Sequence, residues 1–103
     1  MPSILTAFGY HYFFYSNEGE PLEPVHIHVS KGNGPNTAKF WINSDGSCEM
    51  ESNPEHIPSN DLRKIKKTIE LYADNIIGEW KRFFQTQAVF HDSPVKGTDE
   101  ECL

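Results

Sequence analysis

Two imidazoles separated by one residue, His26 and His28, lie in the run Glu23-Pro24-Val25-His26-Ile27-His28-Val29. Val25, Ile27 and Val29 are β-branched, so the run predicts a strand. Strand side chains alternate between faces. Both rings therefore share one face, and the three aliphatics share the other. Histidine can gain or lose a proton near neutral pH and is a common metal ligand. The pair is the first place to expect chemistry. An HxH pair is also a short motif, and two exposed polar positions that happen to be histidine would satisfy the same spacing.

Three chemistries fit these residues. The first is action on RNA. A base activates the 2′-hydroxyl, an acid protonates the leaving oxygen, and a cation stabilises the phosphorane charge. His26 and His28 fill the two proton-transfer roles, and Lys39, on a strand expected beside theirs, supplies the cation. Tyr12 or Trp41 stacks on a base, and Glu18 completes the binding set. The bland alternatives are a solvent-facing Lys39 and a core-packed Trp41.

The second chemistry is a metal site. A catalytic metal usually takes three protein ligands and keeps one position open. The strand offers two, and only Glu18, His11 and His56 stand near as a third. None has a telling spacing, so neither a metal nor another cofactor is expected. The third possibility involves no catalysis: an interaction module whose aromatic strands and apolar helix stripe bind a protein partner.

The elements that must position these residues can be read in order. Gly9-Tyr-His-Tyr-Phe-Phe-Tyr-Ser16 is dense in aromatics and predicts a strand from about Tyr10 to Ser16. Tyr10, Tyr12 and Phe14 share one face; His11, Phe13 and Tyr15 share the other. The turn formers of residues 17–21 lead to the His strand, about Val25 to Ser30. A Gly- and Asn-rich loop precedes a third strand over 37–42, in which Lys39 and Trp41 share a face. Asn43-Ser44-Asp45-Gly46 predicts a tight turn, and a short strand follows over 47–51.

A helix is expected from Ser59 or Asn60, both good N-caps. Leu62, Ile65, Ile69, Tyr72, Ile76, Trp80 and Phe83 form one apolar stripe at three- and four-residue steps. Unbroken, it would run to roughly 36 Å at 1.5 Å per residue, long for so small a domain. A break near 73–75 is therefore allowed for, with Asp74 or Asn75 as cap. Arg63, Lys64, Lys66 and Lys67 fall largely off the stripe and read as a solvated face or a phosphate-facing patch.

The chain's 103 residues support one domain. A net charge of −6 is unlike the basic footprint of most nucleic-acid binders. Half of that charge lies in 86–103, and the stretch 88–103 is expected to be a disordered acidic tail. The two cysteines, Cys48 and Cys102, suggest neither a disulfide framework nor a zinc spacing. There is no basic-then-apolar leader pattern and no run of roughly 20 apolar residues. The expectation is a cytoplasmic protein without membrane contact.

The motif order resembles a bacterial family known as domain of unknown function 4160. The resemblance rests on Gly9 through Glu18, Glu23 through Val29, Ala38 through Trp41, and the helical stretch from Leu62 to Phe84. The chain departs from the pattern at Val25, where a second Pro is expected, and at His11, where a basic residue is expected. Residues 86–103 have no family counterpart. The resemblance implies the toxin half of a toxin–antitoxin type gene pair. Its partner would be a small antitoxin-like protein from an adjacent gene, of the domain of unknown function 2442 type.

The fold expected is α+β over residues 1–87: a small, mainly antiparallel sheet of three to four strands, followed by one long or two shorter C-terminal helices.

Overall fold

The structure, a computed structural model, describes residues 3–15, 23–32, 37–85 and 88–92. Five strands form one antiparallel meander in the order β1 to β5: β1 (Ser3–Ala7), β2 (Tyr10–Phe13), β3 (His26–Ser30), β4 (Ala38–Ile42) and β5 (Cys48–Ser52). Two helices follow, α1 (Ser59–Leu71) and α2 (Ala73–Phe84). The α+β class is as expected.

The strand not foreseen is β1. Its Ser-Ile-Leu-Thr-Ala sequence is short and has no clean alternation. It is held by a two-residue turn, Phe8-Gly9, with φ of 55° and 80°. Positive φ at both central positions is the type I′ geometry that suits a hairpin. Gly9 adopts it freely, whereas Phe8 is strained there and leaves its ring exposed. The turn at the other end of the sheet follows expectation. Gly46 sits at φ 91°, and Asp45 Oδ1 accepts hydrogen bonds from Ser47 N–H (2.9 Å) and Ser47 Oγ–H (2.6 Å). These bonds hold the Asp45 carboxyl below its usual range.

The helix starts differ from expectation. Pro58, not Ser59 or Asn60, is the N-cap of α1, and no side chain caps it. The extended backbone of Pro58 (φ −62°, ψ 152°) sets the entry, and its carbonyl accepts the first helical bond from Leu62 N–H at 2.9 Å. The stripe does break, but at Tyr72 (φ −104°, ψ 17°) rather than at Asp74 or Asn75. Tyr72 N–H donates to Thr68 and its carbonyl accepts from Ile76 N–H (3.1 and 2.9 Å), so the hydrogen-bond ladder bends without parting. Ile65 and Ile69 before the bend, and Ala73, Ile76 and Trp80 after it, are buried against the sheet. Gln85, left-handed at φ 53°, ends α2. Arg63, Lys64, Lys66 and Lys67 are all exposed.

The core fills the helix-side face of the sheet with Tyr12, Phe14, Val25, Ile27, Val29, Ala38, Phe40 and Ile42. Burial raises the Tyr12 phenol pKa, and burial with the nearby Glu70 charge pushes the Cys48 thiol up to about 12. No helix among the described residues is long and apolar enough to cross a membrane.

Of the stretch expected as a tail, only 88–92 is described. There Val89 C=O accepts from Val25 N–H at 2.8 Å, and Ala88 and Phe90 pack on the core.

Candidate functional site

Strand pairing decides which side chains meet on the second face of the sheet. His28 pairs with Phe13 on one side and Lys39 on the other, and His26 pairs with Trp41. Directly opposite residues share a face. His26, His28, Lys39, Trp41 and Phe13 therefore form one patch, the histidine face, turned from the aliphatic core. The two imidazole centroids are 5.1 Å apart at 84°.

The pair is not at the surface. His26 is 0% exposed and His28 is 6% exposed. Rings surround them. Tyr15 lies 4.4 Å from His28, and Phe13 stacks on it at 6.0 Å. His26 has Trp41 at 5.5 Å and Trp80 of α2 at 5.1 Å. Buried polar groups require partners, and each ring has one at Nδ1. His26 Nδ1 lies 2.8 Å from the Pro24 carbonyl, and His28 Nδ1 lies 3.0 Å from Thr37 Oγ1. A carbonyl oxygen only accepts, so His26 Nδ1 carries a proton. In the neutral ring the lone pair is then on Nε2. This bond sets the tautomer and orients the ring. The Thr37 hydroxyl can donate or accept, so it leaves the His28 tautomer open.

Lys39 is half-buried. Its Nζ donates to Glu23 Oε1 at 2.9 Å and lies 4.4 Å from the Trp41 ring centroid. Trp41 Nε1–H donates to Glu51 Oε1 at 2.7 Å. The β4–β5 register explains that reach. Lys39 pairs with Ser52 but Phe40 with Met50, so Glu51 is the extra residue of a bulge. Bulges re-aim side chains. The other face of the Trp41 environment is His91, stacked at 4.6 Å and 3°.

Four of the six residues proposed from sequence thus come together: His26, His28, Lys39 and Trp41. Tyr12 does not join them. It pairs with Val29 on the core face and is 0% exposed. Strand alternation assigns Phe13 and Tyr15 to the histidine face instead, and that signal was legible in the period of two. Glu18 lies outside the described residues. Glu23, Thr37, Glu51 and His91 also line the site. Nothing in their spacing marks them, because loop geometry, a bulge and a distant segment bring them in. Of the candidate third metal ligands, His11 and His56 are exposed and Glu18 lies outside the described residues; no group of three His, Cys, Asp or Glu among the described residues is placed to hold a metal ion.

A five-stranded meander backed by two helices, with a paired-histidine patch on the sheet face away from the aliphatic core, defines a class of small α+β domain. The chain belongs to the family described as domain of unknown function DUF4160, whose family model matches residues 9–81. That span contains β2 through most of α2, the histidine pair, Lys39 and Trp41. Neither a curated protein nor a solved structure matches the chain.

Proposed function

We propose that the chain is the toxin-like component of a bacterial two-gene module, acting on RNA through the histidine face. The observation that carries this reading is the register of β3 with β4. It sets His28 opposite Lys39 and His26 opposite Trp41, so two proton-transfer groups, a cation and a stacking ring share one patch. In RNA cleavage, one imidazole takes the 2′-hydroxyl proton while the 2′-oxygen attacks phosphorus. The other protonates the departing 5′-oxygen, leaving a 2′,3′-cyclic phosphate. His26 and His28 are the two proton-transfer groups, 5.1 Å apart between ring centroids. Lys39 offsets the charge gathering on the phosphorane oxygens. Glu23 and Glu51 flank the same patch, so affinity rests on stacking more than on phosphate attraction. The expected partner is the small antitoxin-like protein of the adjacent gene, and the expected compartment is the cytoplasm.

A second reading, a protein-binding module without catalysis, is favoured by the burial of both rings. One experiment separates the two. Expressed without its partner, the wild-type chain is expected to slow bacterial growth. The double variant His26→Asn with His28→Asn keeps an amide near each Nδ1 position but removes both imidazoles. It is expected to relieve the growth defect while staying folded at the growth temperature, with a melting midpoint below wild type because both rings are buried. Undiminished toxicity in the folded double variant removes the histidines from the mechanism. A harmless wild-type chain favours the binding module.

A further inference from the structure

We propose that residues 88–92 form a strap that closes the histidine face by laying His91 on Trp41. The inference rests on the reading of Trp41 as a stacking platform for an RNA base, and it names how that platform is regulated. Three contacts define the strap. At one end Val89 C=O accepts from Val25 N–H at 2.8 Å, beside the buried His26. At the other end the Asp92 carboxylate accepts from Ser44 N–H at 3.0 Å and Ser44 Oγ–H at 3.1 Å, in the β4–β5 turn. Between them His91 lies parallel to the Trp41 ring, 4.6 Å away at 3°. The segment thus crosses from the start of β3 to the end of β4, over the residue that pairs with His26.

A parallel heterocycle on an indole is the geometry a splayed nucleobase adopts on an aromatic side chain. His91 therefore occupies the position the base would need. Ala88 and Phe90 anchor the inner end of the strap on the core, and its outer end, His91–Asp92, is the part built to release. His91 and Asp92 are exposed, so water can replace the Asp92 bonds at small net cost, and neither side chain belongs to the buried core. The strap lies beyond residue 81, where the family match ends, while the patch it covers lies within the match.

The test uses the purified full chain. Trp80 is 0% exposed, so acrylamide quenching of tryptophan fluorescence reports mainly on Trp41. His91→Ala is expected to raise the quenching constant severalfold over wild type, and His91→Phe, which can still stack, is expected to keep it low. A short single-stranded oligoribonucleotide is expected to bind His91→Ala about tenfold more tightly than wild type, since it no longer competes with the internal ring. Because His91 is exposed, all three chains should melt alike. If quenching stays at the wild-type level in both His91→Ala and His91→Ala with Asp92→Ala, no strap covers Trp41 and the proposal is overturned. If quenching rises but no chain binds the oligonucleotide, the strap stands and the RNA reading fails.

Discussion

Ile27 and His28 are adjacent on β3, and both are buried, yet they belong to regions built on different physics. Ile27 pairs with Phe40 and belongs to one buried cluster with Tyr12, Phe14 and the helix residues Ile65, Ile69 and Ile76, a layer of apolar packing without direction. His28 faces Phe13, Tyr15 and His26 and holds a hydrogen bond to Thr37. Burying Ile27 is favourable in itself, about 1.5–3 kcal/mol for a side chain of that kind. Burying an imidazole returns less, because its water contacts must be replaced one for one. A chain that needed only stability would place Val or Ile at positions 26 and 28. The difference locates stability on one face and points to function on the other.

The largest effect is expected from breaking the core face. Phe40→Ala removes a fully buried ring and should cost about 3–5 kcal/mol by urea denaturation. Trp41, the next residue, is only partly buried, and Trp41→Ala should cost clearly less despite its larger ring. Equal losses at the two positions would mean that the histidine face carries as much packing energy as the core, and the contrast between the faces would collapse.

Tyr10 gives a smaller effect, with a pH signature. It is a buried core-face residue at the edge of that layer, and its hydroxyl donates to Asp61 Oδ2 at 2.8 Å. Burial, together with the Asp61 bond and charge, pushes its pKa from 10.0 up to about 12. The folded state thus holds the phenolic proton more tightly than the unfolded state. That contribution is complete below pH 10.0 and is lost as pH rises through about 12. Tyr10→Phe should lower stability near neutral pH by about 1.5–3 kcal/mol, the worth of a bond to a charged group. It should also flatten the alkaline decline relative to wild type. Cys48 titrates in the same direction in both chains, so the difference between them isolates Tyr10. Parallel curves through that range would show that the Tyr10–Asp61 bond carries no linkage.

Much of this contrast was legible before any coordinates. The period of two in Val25-His26-Ile27-His28-Val29 separates the faces, and the same period places Lys39 with Trp41 and Phe13 with Tyr15. The helical stripe was readable because four isoleucine and tryptophan positions at the right spacing must find one surface. Three kinds of information were not readable. β1 lacks alternation and is specified by its hairpin partner. Burial of the histidines depends on rings from β2, β4 and α2 closing around them, which strand period alone cannot give. Contacts of 88–92 arise from a segment whose charge and composition resemble solvent-exposed chain, while its anchors at Val25 and Ser44 are distant in sequence. Tyr12 illustrates the cost of choosing a residue by type: its ring suits stacking, but its parity puts it in the core.

Lys39 should show the smallest change in stability and one of the largest in function, which sharpens the comparison most. Its ion pair with Glu23 is partly exposed, with side-chain exposures of 19% and 37%. Such pairs contribute roughly 0.2–1 kcal/mol, and the contact with Trp41 adds about 0.5–1 kcal/mol where solvent reaches it. Lys39→Met keeps most of the aliphatic stem over the indole, so the net loss should stay within about 1 kcal/mol in thermal or urea unfolding. On the proposed mechanism the same change removes the only cation described in the patch, and a preorganised group facing developing charge is worth roughly a hundredfold or more in rate. Growth inhibition by the Lys39→Met chain should therefore be largely lost while its unfolding curve barely moves. A variant that is folded and still fully toxic would show that Lys39 serves only to hold Glu23 and Trp41 in place. A variant that unfolds as readily as Phe40→Ala would show that the histidine face, too, is structural.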